Sequence, residues 1–186
     1  MVVEVQRAIE IGLDGFLFDI LTTDRSNPIA FRFDQLLTAA ASVNSNFVLG
    51  FMPDMTAEFS TSPQNMVPYL LQYANRSNIL RYLDKQVVAP FDAGLQTSGW
   101  WDAQLSALNA EFLPLFLSIG APLLPYVNIS FGAASWGGQQ VSYVDAVIFE
   151  GNYVHKQNLS IWYSPFLQAP YDRTLIIFLP FLGWHQ

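Results

Sequence analysis

Six short apolar runs, each joined to the next by a longer connecting segment, constrain the fold of this chain most strongly. They predict strands at 15–21, 46–55, 86–94, 113–119, 128–138 and 159–166. The runs do not alternate apolar with polar residues, as expected for strands that are covered on both faces. Strands separated by helices indicate βαβ units and a parallel sheet, and a spacing of roughly 25 to 40 residues fits the units of a (β/α) barrel.

Helical spacing of apolar residues fills most of the segments between the strands. It predicts helices at 2–11, 31–43, 62–83, 99–112 and 142–158, with Gly12 as a C-cap and Pro68 as a break inside the third. No strand is followed by a Gly-x-Gly-x-x-Gly loop, and "GAASWGGQQ" lacks a Lys-Ser/Thr pair. A barrel is therefore favoured over a nucleotide-binding doubly wound sheet.

Composition excludes several classes of partner and cofactor. The net charge is −7 without a basic cluster, which argues against nucleic acid. The most apolar run, "TLIIFLPFLGW", is about half the length of a membrane span. There is no cysteine, His155 and His185 are isolated, and no Gly-x-Ser-x-Gly motif is present. We therefore predict no metal, no cofactor and no membrane span, and the opening "MVVEVQRAIEIG" does not resemble a signal peptide.

Three consecutive predicted strands carry an aspartate near their carboxyl ends: Asp19 in "FLFDIL", Asp54 in "FMPDM" and Asp92 in "APFDAG". In a (β/α) barrel these ends form the active face. Two carboxyl groups can serve as acid and base across a glycosidic bond. The structural alternative is that each aspartate only caps the following helix.

Aromatic residues near the same strand ends are candidates for stacking on sugar rings. Trp136 in "ASWGG" is the strongest candidate, and Trp100 and Ser164 are further candidates for substrate binding. Trp101 is predicted to be helix core, and Glu150 is read as a residue of a helix surface.

Four segments, "AIEIGLDGFLFDIL", "FVLGFMPDMTA", "VVAPFDAG" followed by "SGWW", and "ASWGG", resemble glycoside hydrolase family 71, the α-1,3-glucanases or mutanases. The resemblance extends from about residue 4 to about residue 172. It implies a (β/α)8 TIM-type barrel and endo-hydrolysis of α-1,3-glucan, a cell wall polysaccharide, with inversion. It also implies secretion. Asp54 matches the strand-three aspartate of the family, and Asp19 matches a position that is Asn or Asp.

The chain departs from the family pattern in three places. The family's first strand would precede Met1, residues 173–186 form an unmatched apolar tail, and Gly94 stands where the family usually carries a carboxylate. We therefore predict an incomplete barrel of about six β/α units within residues 1–172. Open sheet edges of such a barrel would favour self-association.

The leading hypothesis from the sequence is a glycosidase in which Asp54 and Asp92 act as the acid and base. Asp19 would bind or orient the substrate. A second hypothesis is a non-catalytic remnant that at most binds glucan. A third is a barrel enzyme that acts on another polysaccharide.

Overall fold

A parallel sheet with six strand positions is the main feature of the computed structural model, which describes residues 1–116, 121–135, 151–159 and 161–163. The first two positions are β1 (Gly15–Ile20) and β2 (Val48–Pro53). The others are β4 (Lys85–Val88), the pair β5 (Ala110–Phe112) and β6 (Leu115–Phe116), β7 (Gly132–Ser135) and β8 (Ile161–Tyr163). Neighbouring positions pair in chain order and in parallel. The predicted order of six parallel strands along the chain is therefore confirmed.

β5 and β6 occupy one position of the sheet although Pro114 separates them. Leu113 N donates to Val88 O and Leu115 N donates to Pro90 O, so both segments follow β4. Parallel bridges from Phe91 to Leu115 and from Phe112 to Ser130 continue the sheet across the interruption. Pro114 cannot donate a ladder hydrogen bond, which explains why the strand is split there.

Among residues 1–116, the helices beside the sheet are α1 (Val2–Glu10), α2 (Arg32–Val43), α3 (Glu58–Thr61), α4 (Met66–Leu71) and α5 (Ser98–Leu108). Residues 151–156 are also helical. Gly12 follows α1 with φ +86°, the left-handed backbone of a C-cap that glycine adopts without strain. Within the described residues, no helix is long and apolar enough to cross a membrane.

The predicted helix at 62–83 is wrong over most of its length. Pro68 lies in the first turn of α4, where its missing N–H costs nothing, so it does not break the helix. Leu80 N donates to Leu49 O, which draws the chain into an extended conformation beside β2. β3 (Arg81–Tyr82) then pairs antiparallel with β4.

Two other predicted elements, the helix at 99–112 and the strand at 86–94, end earlier in the structure than predicted. α5 stops at Leu108 because Asn109 adopts the left-handed region, and Ala110 already belongs to β5. The strand predicted at 86–94 ends before Asp92, which has φ +50°.

Alternation along the strands separates an inner from an outer apolar layer. The inner cluster consists of Leu17, Met52, Leu80, Val87, Ala89, Leu113, Leu115 and Ala134. Gly50 belongs to the inner side, because a Cβ there would lie 2.5 Å from Leu17 Cδ2. The outer cluster joins Phe16, Phe18 and Phe51 to the helices. Strand residues of one parity therefore face the barrel interior and those of the other parity face the helices.

Phe33 attaches α2 to the outer face of the sheet. Its ring centroid lies 5.2 Å from that of Phe18, 5.5 Å from Phe51 and 4.8 Å from Tyr73. Its side chain is 0% exposed, whereas that of Phe31 is 41% exposed beneath the Arg25 guanidinium. The two phenylalanines thus differ mainly in burial.

We predict that Phe33→Ala lowers the free energy of unfolding by about 3–5 kcal/mol, the usual cost of removing a buried ring. Phe31→Ala should cost only about 0.5–1 kcal/mol, because it removes an exposed cation–π contact. Urea denaturation followed by circular dichroism measures both. Equal losses would contradict this account of the core.

Candidate active site

Asp19 and Asp54 both lie on the inner side of the barrel, toward the carboxyl ends of neighbouring strands. Asp19 follows Leu17 by two residues, and Asp54 follows Met52 by two, so each continues an inward-facing row. In the β1–β2 register Asp19 is level with Met52. Asp54 is therefore two residues, roughly 7 Å, nearer the mouth of the barrel.

A local turn holds the carboxylate of Asp54. Thr56 N and Thr56 Oγ1 donate to Asp54 Oδ1 over 2.7 and 2.6 Å, and both bonds use that one oxygen. Asp54 N donates to Ile20 O, which ties the turn to β1. The next helix, α3, begins only at Glu58. Asp54 thus caps a turn and not a helix, and none of the hydrogen bonds from the described residues goes to its Oδ2.

The carboxyl group of Asp19 is buried, and no described residue forms a hydrogen bond with its Oδ1. The residue is 6% exposed. Burial, and secondly the nearby charge of Asp54, raise the pKa of Asp19 to about 8. Because it lies inside β1, the reading of Asp19 as a helix cap does not apply.

Asp92 stands at a sharp change of chain direction after β4. Its backbone is left-handed, and a 3-10 turn at Ala93–Leu95 follows, but its side chain makes no capping hydrogen bond. Partial burial and then the charge of Asp54 raise the pKa of Asp92. The charge of Asp54 thus raises the pKa of both other aspartates, and we refer to Asp19, Asp54 and Asp92 as the acidic cluster.

Helix α5 supports the segment that carries Asp92. Trp101 is fully buried, as predicted, and its Nε1 donates to Ala93 O over 3.0 Å. Thr97 caps the helix by accepting from Trp100 N. Trp100 is half-buried and meets Trp101 edge to face, with 4.8 Å between ring centroids.

Tyr126 lies beside the same segment. Its hydroxyl donates to Gln96 O over 2.6 Å. Burial, and then the charge of Asp92, raise the pKa of Tyr126, which places this phenol near Asp92. The loop after β6 therefore contributes to the surroundings of the cluster.

Glu58 joins the loop after β1 to the segment after β2. Thr22 Oγ1 and Thr23 N donate to its Oε2, and Thr23 Oγ1 and Asn65 Nδ2 donate to its Oε1. Glu58 N also donates to Leu21 O. Partial burial alone would raise the pKa of Glu58, but the hydrogen bonds from Asn65, Thr23 and Thr22 outweigh it and hold the pKa at about 2.

Gly94 has room for a side chain directly beside Asp92. A Cβ built there would lie 3.9 Å from Phe116 Cε1 and 4.0 Å from Asp92 Oδ1, both ordinary contacts. Glycine is thus not required at this position by close packing, and its backbone does not lie in the left-handed region.

Several predicted site residues cannot be placed. Trp136, Ser164 and Glu150, and the tail at 173–186, lie outside the described residues. Across 1–116, 121–135, 151–159 and 161–163, no group of three or more His, Asp or Glu side chains could hold a metal ion.

The sequence interpretation did not identify Thr56, Glu58 or Tyr126. The Asp-x-Thr spacing of "DMT" was an available signal for the turn at Thr56, because such pairs bond side chain to backbone locally. Glu58 and Tyr126 reach residues 35 and 30 positions away, and no local pattern predicts such contacts.

No protein-family model matches the chain. The chain is similar to the ascus wall endo-1,3-alpha-glucanase of Schizosaccharomyces pombe, with 30% identity over 128 residues. The resemblance to α-1,3-glucanases is thus confirmed. The match covers 64% of this chain, and the chain spans only 29% of the length of that relative.

A solved structure supports the fold independently. The GH99 endo-alpha-mannosidase of Bacteroides thetaiotaomicron superposes with a TM-score of 0.65, over 88% of this chain and 55% of that one. At 14% identity this likeness concerns the fold alone. The chain has a fold of the (β/α) TIM-barrel type, as predicted.

We predict that Glu58→Gln loosens the loop at residues 21–27 and destabilises the chain by about 1–2 kcal/mol, since an amide replaces a charged acceptor. In the wild type, Glu58 should make its full contribution to the free energy of unfolding above about pH 4.5. This contribution should be lost as the pH falls toward 2, because the pKa of Glu58 is lower in the folded than in the unfolded chain. Urea denaturation, and tryptic cleavage after Arg25 in that loop, measure the two effects.

Glu10→Gln, at the exposed end of α1, is the matched control and should change neither quantity. If Glu58→Gln showed the same tryptic rate and stability as this control, Glu58 would have no role in holding the loop.

Proposed function

We propose that this chain is a glycoside hydrolase that cleaves α-1,3-glucan internally. The observation that carries the proposal is the acidic cluster of Asp19, Asp54 and Asp92 at the carboxyl ends of three successive barrel positions. That is the active face of a (β/α) barrel. The name of the yeast relative supports the choice of glucan, and we assign the chain to family 71 on this basis.

In this proposal Asp92 is the general acid and Asp54 the general base. A raised pKa suits the group that must deliver a proton to the leaving oxygen. Asp54 retains Oδ2 to accept a proton from the attacking water. Attack from the opposite face inverts the anomeric carbon and requires carboxyl groups roughly 6.5 to 9.5 Å apart.

The remaining predicted residues bind the polymer in this proposal. Asp19 orients the substrate from the layer below Asp54. Trp136 stacks on a sugar ring, and Trp100 and Ser164 extend the binding surface along the glucan. Aromatic rings stack on the apolar faces of sugar rings, so aromatic residues beside the carboxylates would help to bind the glucan.

We predict that Asp54→Asn abolishes release of reducing sugar from insoluble α-1,3-glucan, a loss of at least 100-fold as for a missing general base. Asparagine retains an oxygen that can accept from Thr56, so the turn should persist. Circular dichroism and a pull-down on the polymer check that fold and binding are unchanged.

Retained hydrolysis in Asp54→Asn would refute the assignment of roles. Binding without hydrolysis by the wild type would support a non-catalytic glucan-binding remnant, and hydrolysis of a β-linked glucan alone would identify another barrel glycosidase.

We further predict that Gly94→Glu increases glucan hydrolysis, because it places a second carboxylate beside Asp92 without a clash. The family resemblance expects a carboxylate at this position. Initial rates of reducing-sugar release measure the gain.

Gly99→Glu adds the same charge on α5, where a new Cβ meets nothing within 4 Å, and serves as the control. An equal gain in both variants would mean that added charge, and not the position beside Asp92, raises the rate.

A further inference from the structure

The least satisfied polar group in the described part of the barrel interior is Asp19. It is 94% buried, Oδ1 has no partner within the described residues, and it lies in an inner row whose preceding member is Leu17. An ionised carboxylate in such a place is costly unless something pairs with it. A neutral carboxylic acid is much less costly to bury there.

The charged groups around Asp19 increase this cost. The charge of Asp54, which follows the end of β2, raises the pKa of Asp19 further. The ion pairs among the described residues do not involve Asp19; they are Arg25–Asp34, Lys85–Glu111 and the Met1 amino group with Glu4.

We propose that Asp19 is a positioning residue that holds a proton at neutral pH, so that the inner pair of Asp19 and Asp54 does not carry two negative charges. Asp54 lies nearer the mouth than Asp19 and accepts two hydrogen bonds from Thr56. Asp19 has no such bonds within the described residues. Its role in hydrolysis rests on the proposed function, but its protonation does not.

A carboxyl group with a raised folded pKa lowers stability as the pH rises. Below pH 4 both the folded and the unfolded chain hold the proton, so Asp19 contributes nothing. Between the unfolded value of 3.8 and the folded value of about 8, only the folded chain holds it. Stability therefore falls across this window and levels off above it.

The first test is a carboxyl 13C NMR titration of the full chain labelled at aspartate, with the Asp19 signal assigned by its loss in Asp19→Asn. We expect its midpoint near pH 8. In Asp54→Asn the midpoint should fall but stay above its ordinary value, because burial is the larger cause. A wild-type midpoint near 4 would overturn the proposal.

The second test compares urea midpoints of wild type and Asp19→Asn at pH 5 and pH 9. The wild-type midpoint should fall by more than that of the variant, whose amide does not titrate. Identical falls would overturn the proposal. Ser60→Asn, at an exposed position of α3, is the control and should follow the wild type.

The third test is the pH profile of glucan hydrolysis. The wild-type rate should show a decrease with its midpoint near pH 8 that Asp19→Asn lacks, whereas a decrease caused by deprotonation of the general acid Asp92 should occur in both proteins. A decrease near pH 8 retained in the variant would overturn the role of Asp19 in catalysis. If no hydrolysis occurs at any pH but the NMR midpoint is near 8, the proposed function fails and the protonation of Asp19 stands.

Discussion

The parallel register of β1 and β2 is the constraint on which the rest of the site depends. It sets Leu17 beside Gly50 and Asp19 beside Met52, so the inward rows of both strands are apolar until each reaches its aspartate. If β1 slipped by one residue against β2, Asp19 would turn toward the helices and Phe18 into the interior, while Asp54 would still face inward. The same pairing thus determines both the core and the placement of the carboxylates.

Burying several like charges at one end of a barrel is unfavourable, and the surrounding loops hold them in place. Thr56 fixes Asp54, Trp101 holds the carbonyl next to Asp92, and Glu58 fastens the loop after β1. These bonds lie in the segments that follow the strands, whereas the strands are packed by apolar contacts. A site built on strand ends requires both features: strands held rigidly by apolar packing, and hydrogen bonds that fix the loops after the strands.

The strands and the main helices could be predicted because their apolar spacing is local and continuous. β3 could not, since Leu80 becomes extended only through its hydrogen bond to Leu49, about thirty residues earlier in the chain. The helix break predicted at Pro68 was wrong for a related reason. The effect of a proline depends on its position within the helix, which the spacing of apolar residues does not reveal. The aspartates were found by their strand positions, but the different surroundings of Asp19 and Asp54 required the folded structure.

The resemblance to a family does not reveal the backbone conformation or the packing at Asp92 and Gly94. A left-handed aspartate is tolerated better than most residues, so Asp92 can hold its carboxyl group over the cluster with little backbone strain. Gly94, two residues on, does not have a left-handed backbone, and a Cβ there would make only ordinary contacts with Phe116 and Asp92. Nothing in the described packing therefore demands glycine there. The absence of a carboxylate at Gly94 is therefore not imposed by the packing around it.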